Sequence, residues 1–128
     1  MEALLITSKG FSRMPEKPSG YYHWRYAKSL KEFGTPCELP RCGGWILKRP
    51  VPSFGDIDAM GPYPLFCCKD WSQLKIDLNE TGRDLVSVTL VADPFGGYDR
   101  EPLQEFFDVM IPFKNHFIVD LALPLDTI

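Results

Sequence analysis

Residues 85–92, LVSVTLVA, followed at once by DPFGGYD at 93–99, decide how this chain folds. The first stretch is nearly all apolar and rich in β-branched residues, the pattern of a strand buried on both faces. Asp93-Pro94 and Gly96-Gly97 then break it and open a loop. Before this strand, Asp70 is a fitting N-cap for a helix over residues 70–80, with Leu74 and Leu78 one turn apart and Gly82 as its stop. After it, residues 100–108 read as a short helix with Leu103, Phe106 and Phe107 on its apolar side. Residues 113–121 (FKNHFIVDL) then read as a last strand, ended by Pro124. The pattern predicts a strand–helix–strand crossover.

Further upstream the elements are shorter. Residues 37–39 form a brief strand ending at Pro40, and residues 44–48, with Trp45, Ile46 and Leu47, form a second closed by Arg49-Pro50. After the turn-rich stretch 51–62, PLFCC at 64–68 reads as a third strand, antiparallel to its predecessor. Tyr22, Tyr26, Ala27, Leu30 and Phe33 recur at helical spacing, so residues 21–33 are expected to be a helix, with Ser19 as N-cap and Gly34 as stop. Residues 14–20 are a loop, and residues 2–8 an edge strand. The expected class is α/β: an antiparallel meander followed by a strand–helix–strand crossover, giving a mixed sheet with helices on both faces.

The 128 residues suffice for a single domain, one that buries roughly two-thirds of its unfolded surface without help from metal or disulfide. With 14 basic residues against 17 acidic ones, the net charge is −3. Nucleic-acid binders draw most of their affinity from phosphate contacts by basic groups, so nucleic acid is not the expected partner. The apolar run from Ala3 to Ile6 has no basic leader and is too short for a signal core, and no stretch approaches the roughly 20 residues of a membrane span. A cytoplasmic location is expected.

Four cysteines occur, at 37, 42, 67 and 68, with His23 and His116 as the only histidines. The C-x4-C spacing beside an adjacent pair fits no standard zinc pattern, and adjacent residues of a strand point to opposite faces. Free buried thiols and no metal are the expectation. Either histidine has the pKa range of a general base, but no spacing joins it to a nucleophile.

Two stretches are candidate contact sites. The loop 93–99 lies at the carboxyl end of the buried strand, where α/β sheets place ligands, so Asp93, Phe95 and Tyr98 are candidate substrate contacts. The same residues also make an ordinary turn with Asp99 as N-cap of the next helix, the commoner use of such loops. Residues 21–26 (YYHWRY) carry aromatics all around a helix start. Tyr22, Trp24 and Tyr26 therefore either pack in a core or meet a second surface. Asp56 and Asp58, in the loop before the third short strand, are read as turn residues.

The element order resembles the first part of the GNAT acyltransferase fold. Five segments are similar to the amino-terminal half of FemAB-like, tandem-GNAT acyltransferases: YYHWRYAKSLKEFGTP (21–36), LPRCGGWILKRPVP (39–52), DAMGPYPLFCCKDWSQL (58–74), DLVSVTLVADPFGGY (84–98) and PFKNHFIVDL (112–121). Together they span residues 20–121. Active GNAT domains hold the pyrophosphate of acyl-CoA on a glycine-rich basic loop at a helix N-terminus. The corresponding residues 67–74 contain no glycine, and Asp70 puts negative charge at that place. The resemblance thus implies a GNAT-like domain that lacks its closing strands and a catalytic second half, without acyl-CoA or another cofactor. Its expected role is to bind substrate or dock to a catalytic acyltransferase half. The alternatives are a small stand-alone acyltransferase using acyl-CoA or another donor, and a self-associating homodimer.

Overall fold

The computed structural model describes residues 1–8, 20–114, 121–124 and 126. Six strands form one mixed sheet: β1 (Glu2–Ser8), β2 (Thr35–Leu39), β3 (Gly44–Pro50), β4 (Ile57–Met60), β5 (Leu85–Val91) and β6 (Val109–Lys114), in the spatial order β2-β3-β4-β5-β1-β6. Strands β2, β3 and β4 are an antiparallel meander, whereas β4, β5, β1 and β6 run parallel. Three α-helices connect them: α1 (Trp24–Ser29), α2 (Leu74–Thr81) and α3 (Arg100–Phe106). None of the described helices is long and apolar enough to cross a membrane.

The core follows from the period-two geometry of the strands. Ala3 and Leu5 of β1, Val88 and Leu90 of β5, Ala59 of β4 and Ile46 of β3 lie in one cluster with Leu74 and Leu78 of α2 and Leu103 of α3. Leu47 follows Ile46 and so points to the opposite face, where it too is buried. That is the side on which α1 meets β2 and β3, with Ala27 fully buried. Elsewhere on that side Ser87, Thr89 and Val91 of β5 are half-buried.

Four expectations are corrected. Residues 2–8 are not an edge strand: β1 lies between β5 and β6 and is parallel to both. A continuous apolar run such as Ala3–Ile6 suits a strand flanked on both sides, and here the flanking outweighs the run's shortness. Secondly, the third meander strand is Ile57–Met60, not 64–68. Pro62 and Pro64 cannot donate to a ladder, and only Phe66 makes a bridge, parallel to Ala92.

Thirdly, the helix expected over 21–33 is divided. A 3₁₀ turn over Gly20–Tyr22 precedes α1, and His23 caps α1 with Nδ1 accepting the Arg25 N–H at 3.2 Å. The expected cap, Ser19, lies outside the described residues. Gly34 is needed for close packing, since a Cβ there would lie 2.9 Å from that of Leu47. Lastly, β6 begins at Val109, earlier than the strand expected at 113–121, and residues 115–120 (His116 among them) lie outside the described residues. Pro112 is tolerated within β6 because this is the edge strand.

Candidate functional site

The carboxyl ends of parallel strands, where peptide groups are left without strand partners, frame a cleft. Its volume is about 490 Å³, and its walls come from residues 67–72 before α2, the loop 93–99 after β5, the start of α3, and Tyr22. The segment before α2 is set by Asp70. Its Oδ1 accepts the Ser72 N–H at 3.0 Å and the Ser72 hydroxyl at 2.6 Å, capping the 3₁₀ turn Trp71–Gln73 that runs into α2. The N-terminus of this helical segment is therefore closed by the chain's own carboxylate.

Asp93 organises the opposite wall. It is 7% exposed; its Oδ1 accepts the Phe95 N–H at 3.0 Å, and its Oδ2 accepts the Cys67 thiol at 3.3 Å. The loop then turns flat against Trp71, because a Cβ on Gly96 would stand 2.8 Å from the indole Nε1. Trp71 is also packed between Phe66, edge-on at 5.5 Å, and Tyr98 at 4.8 Å. Burial pushes the Tyr98 hydroxyl above its ordinary pKa, partly offset by Arg100. At the rim, the Lys69 ammonium lies 5.3 Å from the centre of the Tyr22 ring.

The electrostatic balance of the cleft is acidic. Among the described residues Asp70, Asp93 and Asp99 line it, against the one cation Lys69. Asp99 stands at the N-cap position of α3 but makes no side-chain cap hydrogen bond. Of the two lining cysteines, Cys67 donates a hydrogen bond to Asp93, and the Cys68 thiol is pushed up by a hydrogen bond with Cys42 and by burial, which disfavours its thiolate. Among the described residues no three of His, Cys, Asp and Glu converge as a metal site.

Of the six residues singled out in the sequence, Tyr22, Asp93 and Phe95 meet at this cleft, and Tyr98 stands behind Trp71. Trp24 and Tyr26 do not line it. They lie on α1, where Arg25 and Lys28 sit 5.2 and 5.0 Å from the Trp24 ring centre and the Tyr26 hydroxyl donates to the Tyr63 carbonyl. Sequence reasoning missed Trp71, Cys67 and Cys68 as lining residues. Cys67 and Cys68 share one cleft because their segment is not a strand, so the alternation expected of a strand does not apply. The usable signal was Trp71 itself, an aromatic directly after a helix cap at a strand's carboxyl end.

Compared with protein-family models, with curated proteins and with solved structures, the chain matches none.

Proposed function

We propose that this chain is a non-catalytic binding domain that holds a substrate in the cleft between residues 67–72 and 93–99 and works beside a catalytic acyltransferase partner in the cytoplasm. The observation that carries the reading is the occupied cap at Asp70: the helix end that would receive a pyrophosphate already holds a carboxylate. Among the described lining residues, three acids against one lysine turn the cleft further from anions and toward an amine with an apolar body, which Trp71 and Phe95 are placed to cover. The similarity to the first half of FemAB-type acyltransferases supports the same division of labour, and four free cysteines suit a reducing compartment.

Thermal unfolding with acetyl-CoA, longer acyl-CoAs and phenethylamine tests this. A ligand at 100 times its dissociation constant stabilises by about 2.7 kcal/mol, readily seen as a shift in Tm. The expected result is a saturable rise with phenethylamine and none with the acyl-CoAs. A saturable rise with acetyl-CoA sinks the reading in favour of a stand-alone acyltransferase.

A further inference from the structure

Outside the cleft, α1 carries a surface of a different character. From Gly20 to Lys31 the chain has no acidic residue but contains Arg25, Lys28 and Lys31, on a protein whose net charge is −3. Trp24 is 47% exposed with Arg25 and Lys28 over its ring. Next to it, Tyr21 meets Tyr26 edge-on at 5.2 Å, and Tyr26 is bonded to the backbone of Tyr63, whose own side chain is 77% exposed. Only Ala27 of this helix is buried. Among the described residues, Arg25, Lys28 and Lys31 have no carboxylate partner, whereas Arg41, Lys48 and Arg49 are paired with Glu80, Asp84 and Asp58.

We infer that the α1 face, built on Trp24, Arg25, Lys28 and Tyr63, is a docking surface for an acidic segment of another polypeptide. Exposed Trp, Tyr and Arg are the residues that dominate protein interfaces, and unpaired cations next to them select a partner of opposite charge. The charge pattern favours a polypeptide over the other anionic partners. Nucleic-acid affinity grows with the number of phosphates neutralised, and three cations on an acidic domain neutralise few. A membrane surface attracts each basic residue by about 1 kcal/mol, opposed here by the net negative charge, and a six-residue helix offers little area to insert. Carboxylates spaced along a peptide match both cations, while its apolar side chains cover the rings.

The test uses fluorescence anisotropy of a labelled peptide of alternating glutamate and leucine, beside a single-stranded oligothymidylate and phosphatidylglycerol vesicles. The full chain is expected to bind the peptide, more weakly at high salt. The double variant Arg25→Glu/Lys28→Glu and the single variant Trp24→Ala should each lose roughly tenfold in affinity, a loss of about 1.4 kcal/mol. Lys75→Glu/Arg83→Glu, an equal charge change elsewhere, should bind as the parent does. All these positions are exposed, and an unchanged Tm certifies that each variant is folded. Equal peptide binding by parent and Arg25→Glu/Lys28→Glu overturns the inference. So does preference for the oligonucleotide or the vesicles, or binding of none of the three.

Discussion

The carboxylate of Asp77, fully buried in α2, holds the turn between β2 and β3 by the backbone of Cys42: its Oδ2 accepts the Cys42 N–H at 2.7 Å, and its Oδ1 accepts the Arg41 N–H at 3.3 Å. The Cys42 carbonyl in turn accepts the N–H groups of Lys69 and Asp70, at 2.8 and 3.0 Å. One buried acid thus fixes the meander turn against the segment that forms the cleft wall. Asp77→Ala leaves the buried Cys42 N–H and the part-buried Arg41 N–H without their acceptor and should cost roughly 1–3 kcal/mol, read as a lower urea midpoint with unchanged slope. Asp77→Asn keeps one acceptor and should cost less; equal losses would show that one remaining acceptor contributes nothing and that both carboxylate oxygens are needed.

Asp70 is expected to trade stability against anion affinity. Replacing it with Ala removes the cap at Ser72 and should cost about 0.5–2 kcal/mol. The freed amides should then bind inorganic phosphate or acetyl-CoA, so that adding either raises the Tm of Asp70→Ala but not of the parent. A variant that is destabilised and still indifferent to phosphate would mean that Asp70 does not guard an anion site.

Cys68 makes the fold sensitive to alkali. Its thiol is raised in the folded state by the hydrogen bond with Cys42 and by burial, so the folded chain keeps a proton that the unfolded chain gives up. The associated stability is fully present below the ordinary thiol value of 9.0 and declines as pH rises above it, by up to about 1.4 kcal/mol per pH unit. Tyr98 and Tyr26, also raised, steepen the decline above pH 10. Burial also pushes the Cys37 thiol up, so urea unfolding at a series of pH values should show the first part of this decline shrink in Cys68→Ala and shrink further in Cys37→Ala/Cys68→Ala.

At Gly96 a methyl group has no room beside the Trp71 indole. Gly96→Ala should cost roughly 1–3 kcal/mol by overpacking and shift the emission of Trp71, measured with Trp24 and Trp45 replaced by Phe. Unchanged emission would mean that the loop moves and the indole stays.

Much of the fold was legible because local rules and tertiary packing agree there. Residues 85–91 are a strand, though buried only at Leu85, Val88 and Leu90, with Val86 exposed and the rest half-buried; Asp70 caps, Leu74 and Leu78 face the core, and Gly82 ends α2. The failures lie where long-range pairing decides. Nothing local in Glu2–Ser8 says that its neighbours are β5 and β6, and PLFCC looks like a strand until Pro64, the preceding Pro62 and its position beyond β4 are weighed. The cleft was half legible: the loop at 93–99 lies at a strand end whatever its neighbours. Which residues face it across the gap depends on how α2 is set by Asp77, a contact between positions 35 residues apart.

The central place of β1 has a further consequence. Its backbone amide at Ala3 is bonded to Asp108, 105 residues along the chain, and its two ladders join β5 and β6, which do not touch each other without it. The parallel half of the sheet therefore has a high contact order and closes only once β1 meets segments far along the chain. Folding is expected to be slow and all-or-none, and a strand supplied in trans as a peptide of residues 1–8 should restore a chain that lacks it.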